Sequence, residues 1–264
     1  ARARPPRPRA GQAGFFLPRT LIEDRHELAL TISFITKRRA FGYAYAGIQP
    51  DYFFSMPQDS GVYVCPVVPT EILTSEIRYP GDIDLLIVPY EMDELVLDRV
   101  VAVEIKAVRA SFANQGKSPN GFGVSQAGGL LQMGFPYVAL AHLIVSDQSP
   151  VEAWRYIGVA EVLDRTGRAK MLPDMKIDWL PIDLQNRAFG RLTANCADER
   201  IGLITQYVGS TSAELTGDAG ATTDWMPDFR RALPNDRPSR NLLKRIVEFF
   251  ESRPNRFLDN PRFD

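Results

Sequence analysis

Cysteine and histidine are scarce in this chain. The 264 residues include two cysteines, Cys65 and Cys196, and two histidines, His26 and His142. The cysteines are too few for a disulfide framework and lack the spacing of a zinc site. Two distant histidines argue against a histidine-rich metal centre. Because a disulfide framework is missing, we expect a protein of a reducing compartment, the cytoplasm.

The chain also lacks an excess of charge of either sign. Lysine and arginine number 31 and aspartate and glutamate 32, which gives a net charge of −1. Nucleic-acid binding would therefore depend on local basic patches rather than on a general field. No apolar run approaches the length of a membrane span, and no signal-peptide pattern is visible. We therefore expect no membrane partner.

The most informative stretch covers residues 80–107, with the sequence PGDIDLLIVPYEMDELVLDRVVAVEIKA. Its apolar runs predict two strands, Asp82–Val88 and Val100–Ile105, joined by an acidic turn. The first strand contains an uninterrupted apolar run, and the second alternates. Both strands are predicted to lie in a buried sheet.

Three charged side chains fall within these apolar strands. Alternation puts Glu104 and Lys106 on one face of the second strand, and strand pairing brings Asp84 close to them. An unpaired charge is costly there. Mg²⁺ (or Mn²⁺) would offset the cost, because two carboxylates bind such an ion with water and phosphate as further ligands. The alternative is a hairpin with a simple ion pair on a solvated face.

The two strands resemble the PD-(D/E)xK nuclease superfamily, which has the restriction-endonuclease-like fold. The matching residues are GDID at 81–84 and EIK at 104–106. Residue 83 is Ile where the motif takes its name from Pro, although many members lack that Pro. The resemblance extends over roughly residues 20–145.

This resemblance implies a metal-dependent nuclease. It implies that Asp84 and Glu104 bind the metal, that the backbone carbonyl of Ile105 is a further ligand, and that Lys106 positions the attacking water. A lysine in that place also offsets the negative charge that develops during phosphodiester hydrolysis.

A helix predicted over Thr20–Thr36 supplies a further candidate. Thr20 is suited to cap it, with Glu23 in the capping-box position. Many members of the superfamily carry an acidic residue on the first helix that approaches the metal, which implies Glu27 here and Glu23 as the second choice. A solvated helix face is the other interpretation of Glu27.

A second helix is predicted over Val124–Met133. Many members of the superfamily have a polar residue in this helix that contacts the active-site lysine or the substrate phosphate, which implies Gln126. A buried strand follows over Tyr137–Val145, and the helical crossover predicts that it lies parallel to the strand of Glu104. His142 within it is interpreted as a hydrogen-bonded core residue.

The remaining segments complete the predicted organisation. We expect a basic Pro/Arg arm at 1–19, a nuclease domain at 20–208, and a linker with a C-terminal helical extension at 209–264. Residues 38–60 are interpreted as loop-like with aromatic residues in the core, and further strands are predicted at Trp154–Val162 and Lys176–Leu184. The amphipathic helix Asn241–Ser252 could dock on the main domain, on a partner protein or on a second copy.

The predicted fold class is α/β (α+β), a restriction-endonuclease-like mixed central sheet flanked by helices. Three functions remain open. The first is a Mg²⁺-dependent endonuclease acting on double-stranded DNA, by analogy of fold in restriction or antiviral defence. The second is a nuclease-fold subunit that partner proteins target or activate. The third is a non-catalytic relative that binds nucleic acid.

Overall fold

The computed structural model describes residues 26–74, 81–210 and 226–262. In this part of the chain the strands are β1 (Ser60–Val68), β2 (Ile83–Glu91), β3 (Glu94–Leu95), β4 (Val101–Arg109), β5 (Tyr137–Ser146), β6 (Arg155–Val162), β7 (Ala169–Ile177), β8 (Ile201–Ser210), β9 (Asp228–Arg230) and β10 (Leu258–Pro261). The helices are α1 (His26–Thr36), α2 (Arg38–Ile48), α3 (Pro50–Ser55), α4 (Thr70–Leu73), α5 (Val124–Met133), α6 (Leu180–Asn195) and α7 (Arg240–Ser252).

A mixed sheet forms the centre of the molecule. Its order is β10–β1–β2–β4–β5–β8–β9, with β3 on the far end of β2. The strands β4, β5 and β8 run parallel, whereas the other pairs are antiparallel. Parallel strands covered on both faces are expected to be almost continuously apolar, and β5 is buried along its whole length.

Helices cover both faces of this sheet. On one face, α1 and α2 pack against alternate residues of β4, among them Val101 and Val103. On the other face, α5 and α7 pack against Ala102 of β4 and against β5. The predicted mixed α/β class, with a large sheet flanked by helices, is therefore confirmed. The parallel pairing of β4 with β5 across a helical connection is confirmed as well.

The predicted loop at 38–60 is wrong, because α2 and α3 occupy most of it. Gly47 does not break α2. It lets the helix approach β9 so closely that a Cβ atom there would lie 2.3 Å from the ring of Phe229. Pro50 begins α3 instead of ending an element, since proline is tolerated in the first turn of a helix. The expectation that aromatic residues of this segment belong to the core is confirmed for Phe41 and Tyr45.

The predicted strand over Lys176–Leu184 is also wrong. The strand β7 ends at Ile177, and α6 begins three residues later. Asp178 accounts for the change of direction, because its Oδ1 accepts a hydrogen bond from the backbone N–H of Leu180 at 3.0 Å. The apolar run crosses this boundary, so its composition does not mark where the strand ends.

The C-terminal residues 226–262 belong to the main sheet and its core. Strands β9 and β10 form the two ends of the sheet order. The helix α7 buries Ile246 and Phe250 in the core on the face of the sheet that α5 also covers. Of the three alternatives for this helix, docking on the main domain is therefore the one observed. The predicted arm at 1–19, and the predicted linker beyond residue 210, lie outside the described residues. Within the described ranges, no helix is long and apolar enough to cross a membrane.

Candidate active site

The candidate site lies where β2 and β4 diverge. Their ladder ends at the pair Leu85 and Val103, so the next opposed positions are Asp84 and Glu104. Instead of a backbone carbonyl, the Asp84 carboxylate accepts the N–H of Ile105 through Oδ2, at 2.7 Å. The prediction that strand pairing brings Asp84 beside the Glu104 strand is confirmed.

Glu27 reaches the same opening from α1. Its Oε2 accepts a hydrogen bond from the backbone N–H of Ala107 at 2.8 Å. Because N–H groups two residues apart point to the same edge of a strand, Ile105 and Ala107 both point toward the gap beside β2. Two carboxylates from different elements thus satisfy two donors that the end of the ladder leaves unpaired. The approach of Glu27 to a metal stays a prediction.

Glu104 and Lys106 form a close ion pair within the site. Lys106 Nζ lies 2.6 Å from Glu104 Oε1, and the two side chains are 19% and 2% exposed. The Oε1 atom is buried and has no partner with good hydrogen-bond angles, so the contact is an ion pair more than a well-directed hydrogen bond. The face that carries Glu104 is therefore not solvated, which separates this pair from an ordinary surface contact.

Burial and like charge disfavour ionisation of the two carboxylates. Burial raises the pKa of Asp84 to about 7, and the negative charge of Glu104 adds to the effect. Burial also raises the pKa of Glu104, and Lys106 offsets this only in part. For Lys106, burial lowers the pKa, but the hydrogen bond and the charge of Glu104 outweigh it and leave the pKa above its usual value.

The arrangement suits a hard divalent cation. Among residues 26–74, 81–210 and 226–262, no three His, Cys, Asp or Glu side chains form a ready-made metal site. Mg²⁺, however, is usually held by one or two carboxylates, with water and phosphate as the other ligands. Asp84 and Glu104 provide such a pair. The buried Glu104 Oε1 atom has the Lys106 ammonium beside it but no well-directed hydrogen bond, so it could also accept a cation as a ligand. The residues therefore fit the ion, with the Ile105 carbonyl as the third predicted ligand.

A turn that the sequence analysis did not single out supports Lys106. His142 lies beside Lys106 in the β4–β5 register. Its Nε2 donates to the carbonyl of Phe122 at 2.9 Å, and the two rings stack with centroids 6.1 Å apart. Burial lowers the pKa of His142, which favours the neutral ring. The interpretation of His142 as a hydrogen-bonded core residue is confirmed.

Gly123 follows in this turn and touches the lysine directly. A Cβ atom at Gly123 would lie 2.9 Å from Cδ1 of Leu140 and 3.2 Å from Cγ of Lys106, and its φ of +80° is in the left-handed region. Only glycine adopts that conformation at low cost. The turn therefore depends on Gly123 to bring α5 against the Lys106 stem. The sequence signal for it is the GFG run before α5, which indicates a turn but not its contact.

Gln126 lies half-buried in the first turn of α5, just after Gly123. Asp82 precedes β2 and is also half-buried. The structure thus places Gln126 at the end of α5 that approaches Lys106. A contact of Gln126 with the lysine or with a substrate phosphate stays a prediction.

Two arginines of α6, which the sequence analysis also missed, hold the loop that follows β4. Arg191 donates to Ser118 Oγ at 2.8 Å and to the carbonyl of Lys117 at 3.1 Å, and Arg187 donates to Gln115. Burial and the charge of Arg187 lower the pKa of Arg191, since two cations lie close together. The long loop after β4 is therefore tied to a pair of arginines that attracts anions.

The raised pKa of Asp84 predicts a pH-dependent stability in metal-free buffer. Free aspartate has a pKa near 3.8, whereas folded Asp84 ionises near 7, so the folded state binds this proton more tightly. The stabilisation is complete below about pH 4 and is lost as the pH rises through 7. We expect the melting temperature of the parent to fall between pH 5 and pH 8, by about 2–4 °C for each kcal/mol of unfolding free energy that is lost.

The matched variant is Asp84→Asn, which keeps the shape and cannot ionise. Its melting temperature should change less over the same pH range, since the titrating group of the pair is gone. Thermal melts in the presence of a chelator measure both proteins. Equal pH dependence of the parent and Asp84→Asn would contradict the raised pKa.

The contact of Gly123 predicts opposite effects for two glycine substitutions. Gly123→Ala should destabilise the fold by about 1–3 kcal/mol, from the left-handed φ and from displacement of Leu140 and Lys106. Gly128→Ala, five residues later in α5, has open space around it and should stabilise by up to about 1 kcal/mol. Urea unfolding of both variants measures the difference. Equal effects would show that the turn does not depend on glycine.

No model of a known protein family matches this chain, and neither a curated protein nor a solved structure matches it. The interpretation of the site therefore rests on the residues and distances described above. The carboxylate pair at the divergence of β2 and β4 is the feature that any function assigned to the site has to explain.

Proposed function

We propose that this chain is a metal-dependent nuclease that hydrolyses phosphodiester bonds of DNA on a restriction-endonuclease-like fold. The observation that carries the proposal is the half-buried Asp84 beside the buried Glu104, with the Lys106 ammonium 2.6 Å from the second carboxylate. An endonuclease that acts on double-stranded DNA, in restriction or in antiviral defence, is the form that analogy of fold favours.

The balance of charge favours a metal site over a purely structural ion pair. Three carboxylates, those of Glu27, Asp84 and Glu104, converge with Lys106 on the end of the β2–β4 ladder. A lone lysine leaves an excess of negative charge in a buried place, where an uncompensated charge is expensive. Asp84 and Glu27 each accept a backbone N–H as well, but these neutral donors do not balance the negative charge. A divalent cation held by Asp84 and Glu104 would balance it.

Each residue then has a defined task. Asp84, Glu104 and the carbonyl of Ile105 would hold Mg²⁺ or Mn²⁺. When bound, such an ion supplies a Lewis acid that neutralises phosphate charge and promotes ionisation of a coordinated water. Lys106 holds an ammonium group beside that place, so that it can orient the attacking water and offset charge that develops on the phosphate.

The two arginines of α6 support an extended polyanion as the substrate. The chain has a net charge of −1, so a nucleic acid needs a local positive surface. Arg187 and Arg191 on α6, and the exposed Lys117 in the loop, provide one near the carboxyl end of β4. Phosphates on either side of a scissile bond would be positioned by such groups, since cations that contact phosphates fix register without reading sequence.

Lys106→Ala tests the catalytic role of the lysine. Because the ammonium acts on the reacting phosphate, we expect DNA and Mn²⁺ binding to persist while single-turnover cleavage falls by about a hundredfold or more. Gln126→Ala should lose a smaller factor, since it contributes no charge. Lys244→Ala on α7, where the side chain is 75% exposed, is the control and should cleave normally.

Thermal melts of the same variants separate catalysis from folding. If Lys106 only neutralises a buried carboxylate, Lys106→Ala loses stability, and its activity falls only with the amount of folded protein. Near-normal cleavage by a folded Lys106→Ala would refute the catalytic role.

A further inference from the structure

The strands β6 and β7 form a small sheet of their own. Within the described residues they pair only with each other and not with the central sheet. An isolated two-stranded hairpin is marginally stable in water. This one also exposes large apolar side chains: Tyr156 (71%), Val162 (71%), Leu163 (48%), Met171 (68%), Leu172 (37%) and Met175 (50%). Exposed apolar groups concentrated in one element indicate a surface that a partner covers.

The two edges of the hairpin differ in their protection. Along β7, Lys170, Pro173 and Lys176 stand at the edge, and lysine and proline are the residues that block pairing with another strand. Along β6 the sequence is RYIGVAEV, which contains neither residue. The β6 edge is therefore the one left open to a further strand.

We propose that the β6 edges of two copies of this chain pair antiparallel about Gly158 and form a dimer with a continuous four-stranded sheet. In this register Gly158 lies opposite Gly158 of the second copy. Ile157 then lies opposite Val159, and Arg155 opposite Glu161. Directly opposed residues in an antiparallel pair share a face and interact with each other.

Charge complementarity selects this register. A two-fold axis through residue 157 would place Arg155 opposite Val159, and an axis through residue 159 would place it opposite Leu163. Only the axis at Gly158 brings Arg155 opposite Glu161, twice in the dimer. Both side chains are exposed and accessible to a second copy. Within one copy Arg155 contacts Asp183 at 2.7 Å, and Glu161 lies opposite Lys170 in the hairpin.

The same pairing makes one apolar face continuous. The register of the hairpin sets Ile157 beside Met175 and Val159 beside Leu172, on the two sides of an irregularity at Gly158 where β7 contains one extra residue. Opposed residues share a face, so these four side chains lie on one side of the hairpin. Pairing about Gly158 joins this face to the equivalent one of the second copy. The dimer thus removes the open edge and extends the apolar face across four strands.

A charge exchange tests the proposal on the full chain by sedimentation velocity at micromolar concentration. The parent should sediment as a dimer. Glu161→Arg should sediment as a monomer, because it sets two arginines opposite each other. Arg155→Glu combined with Glu161→Arg should restore the dimer. Glu248→Arg on α7, where the side chain is 45% exposed, is an equivalent change away from the hairpin and should leave the dimer intact.

A cysteine at the axis tests the register. A Cβ atom at Gly158 would lie 3.6 Å from Cε of Met171 and 4.0 Å from Oδ1 of Asp174, so Gly158→Cys fits without strain. Under mild oxidation it should form a disulfide-linked dimer on a denaturing gel, whereas Asp174→Cys should not. Equal crosslinking of the two variants would overturn the register.

Other outcomes overturn the dimer itself. A parent that stays monomeric refutes it, and so does a dimer that Glu161→Arg leaves unchanged. If the parent is monomeric and Glu161→Arg alters only DNA binding, the hairpin contacts nucleic acid instead, and the proposal is refuted in favour of that function. Cleavage and metal binding measured on the same samples keep this result separate from the proposed nuclease activity.

Discussion

Two carboxylates that repel each other, one half-buried and one buried, constrain the centre of this structure. Asp84 and Glu104 face one another where β2 and β4 diverge, and burial together with the neighbouring charge raises the pKa of Asp84 to about 7. The backbone N–H of Ile105 and the ammonium of Lys106 compensate for part of the cost. Two like charges side by side are unfavourable as a structural element, because taking a charge out of water is costly unless an opposite charge balances it. The presence of this pair is explained if a cation completes the site.

The surrounding structure holds this pair and its lysine in place. The turn at Phe122 and Gly123 is fixed by His142 from β5, and it packs against the stem of Lys106. The loop before that turn is tied to α6 by Arg191. The site is therefore supported by β5, by the turn before α5 and by α6. This support limits the motion of its charged side chains. The β6–β7 hairpin is joined to α6 by the contact of Arg155 with Asp183, and we propose that its open edge serves assembly.

The candidate site was more predictable from the sequence than the fold around it. Period-2 alternation suffices to place Glu104 and Lys106 on one face, and the pairing of two apolar strands suffices to bring Asp84 near them. The helices α2 and α3 were missed because Gly47 and Pro50 indicate breaks when the sequence is considered locally. The reason for a glycine at position 47 is the close approach of Phe229, which is distant in the sequence. Gly123 and Arg191 were missed for the same reason, since their contacts join residues that the sequence does not bring together. Local pattern predicts the strands, but not which distant residues support them.

Calorimetric titration of Mn²⁺ tests the central claim most directly, because it measures the cation and needs no substrate. The parent should bind the ion, and Glu104→Gln should bind it at least about tenfold more weakly. Even the loss of a residue that only hydrogen-bonds a metal ligand commonly lowers metal affinity by that factor. Glu248→Gln on α7, where the side chain is 45% exposed, should match the parent. Equal affinity of Glu104→Gln and the parent, or no binding by the folded parent, would contradict the account.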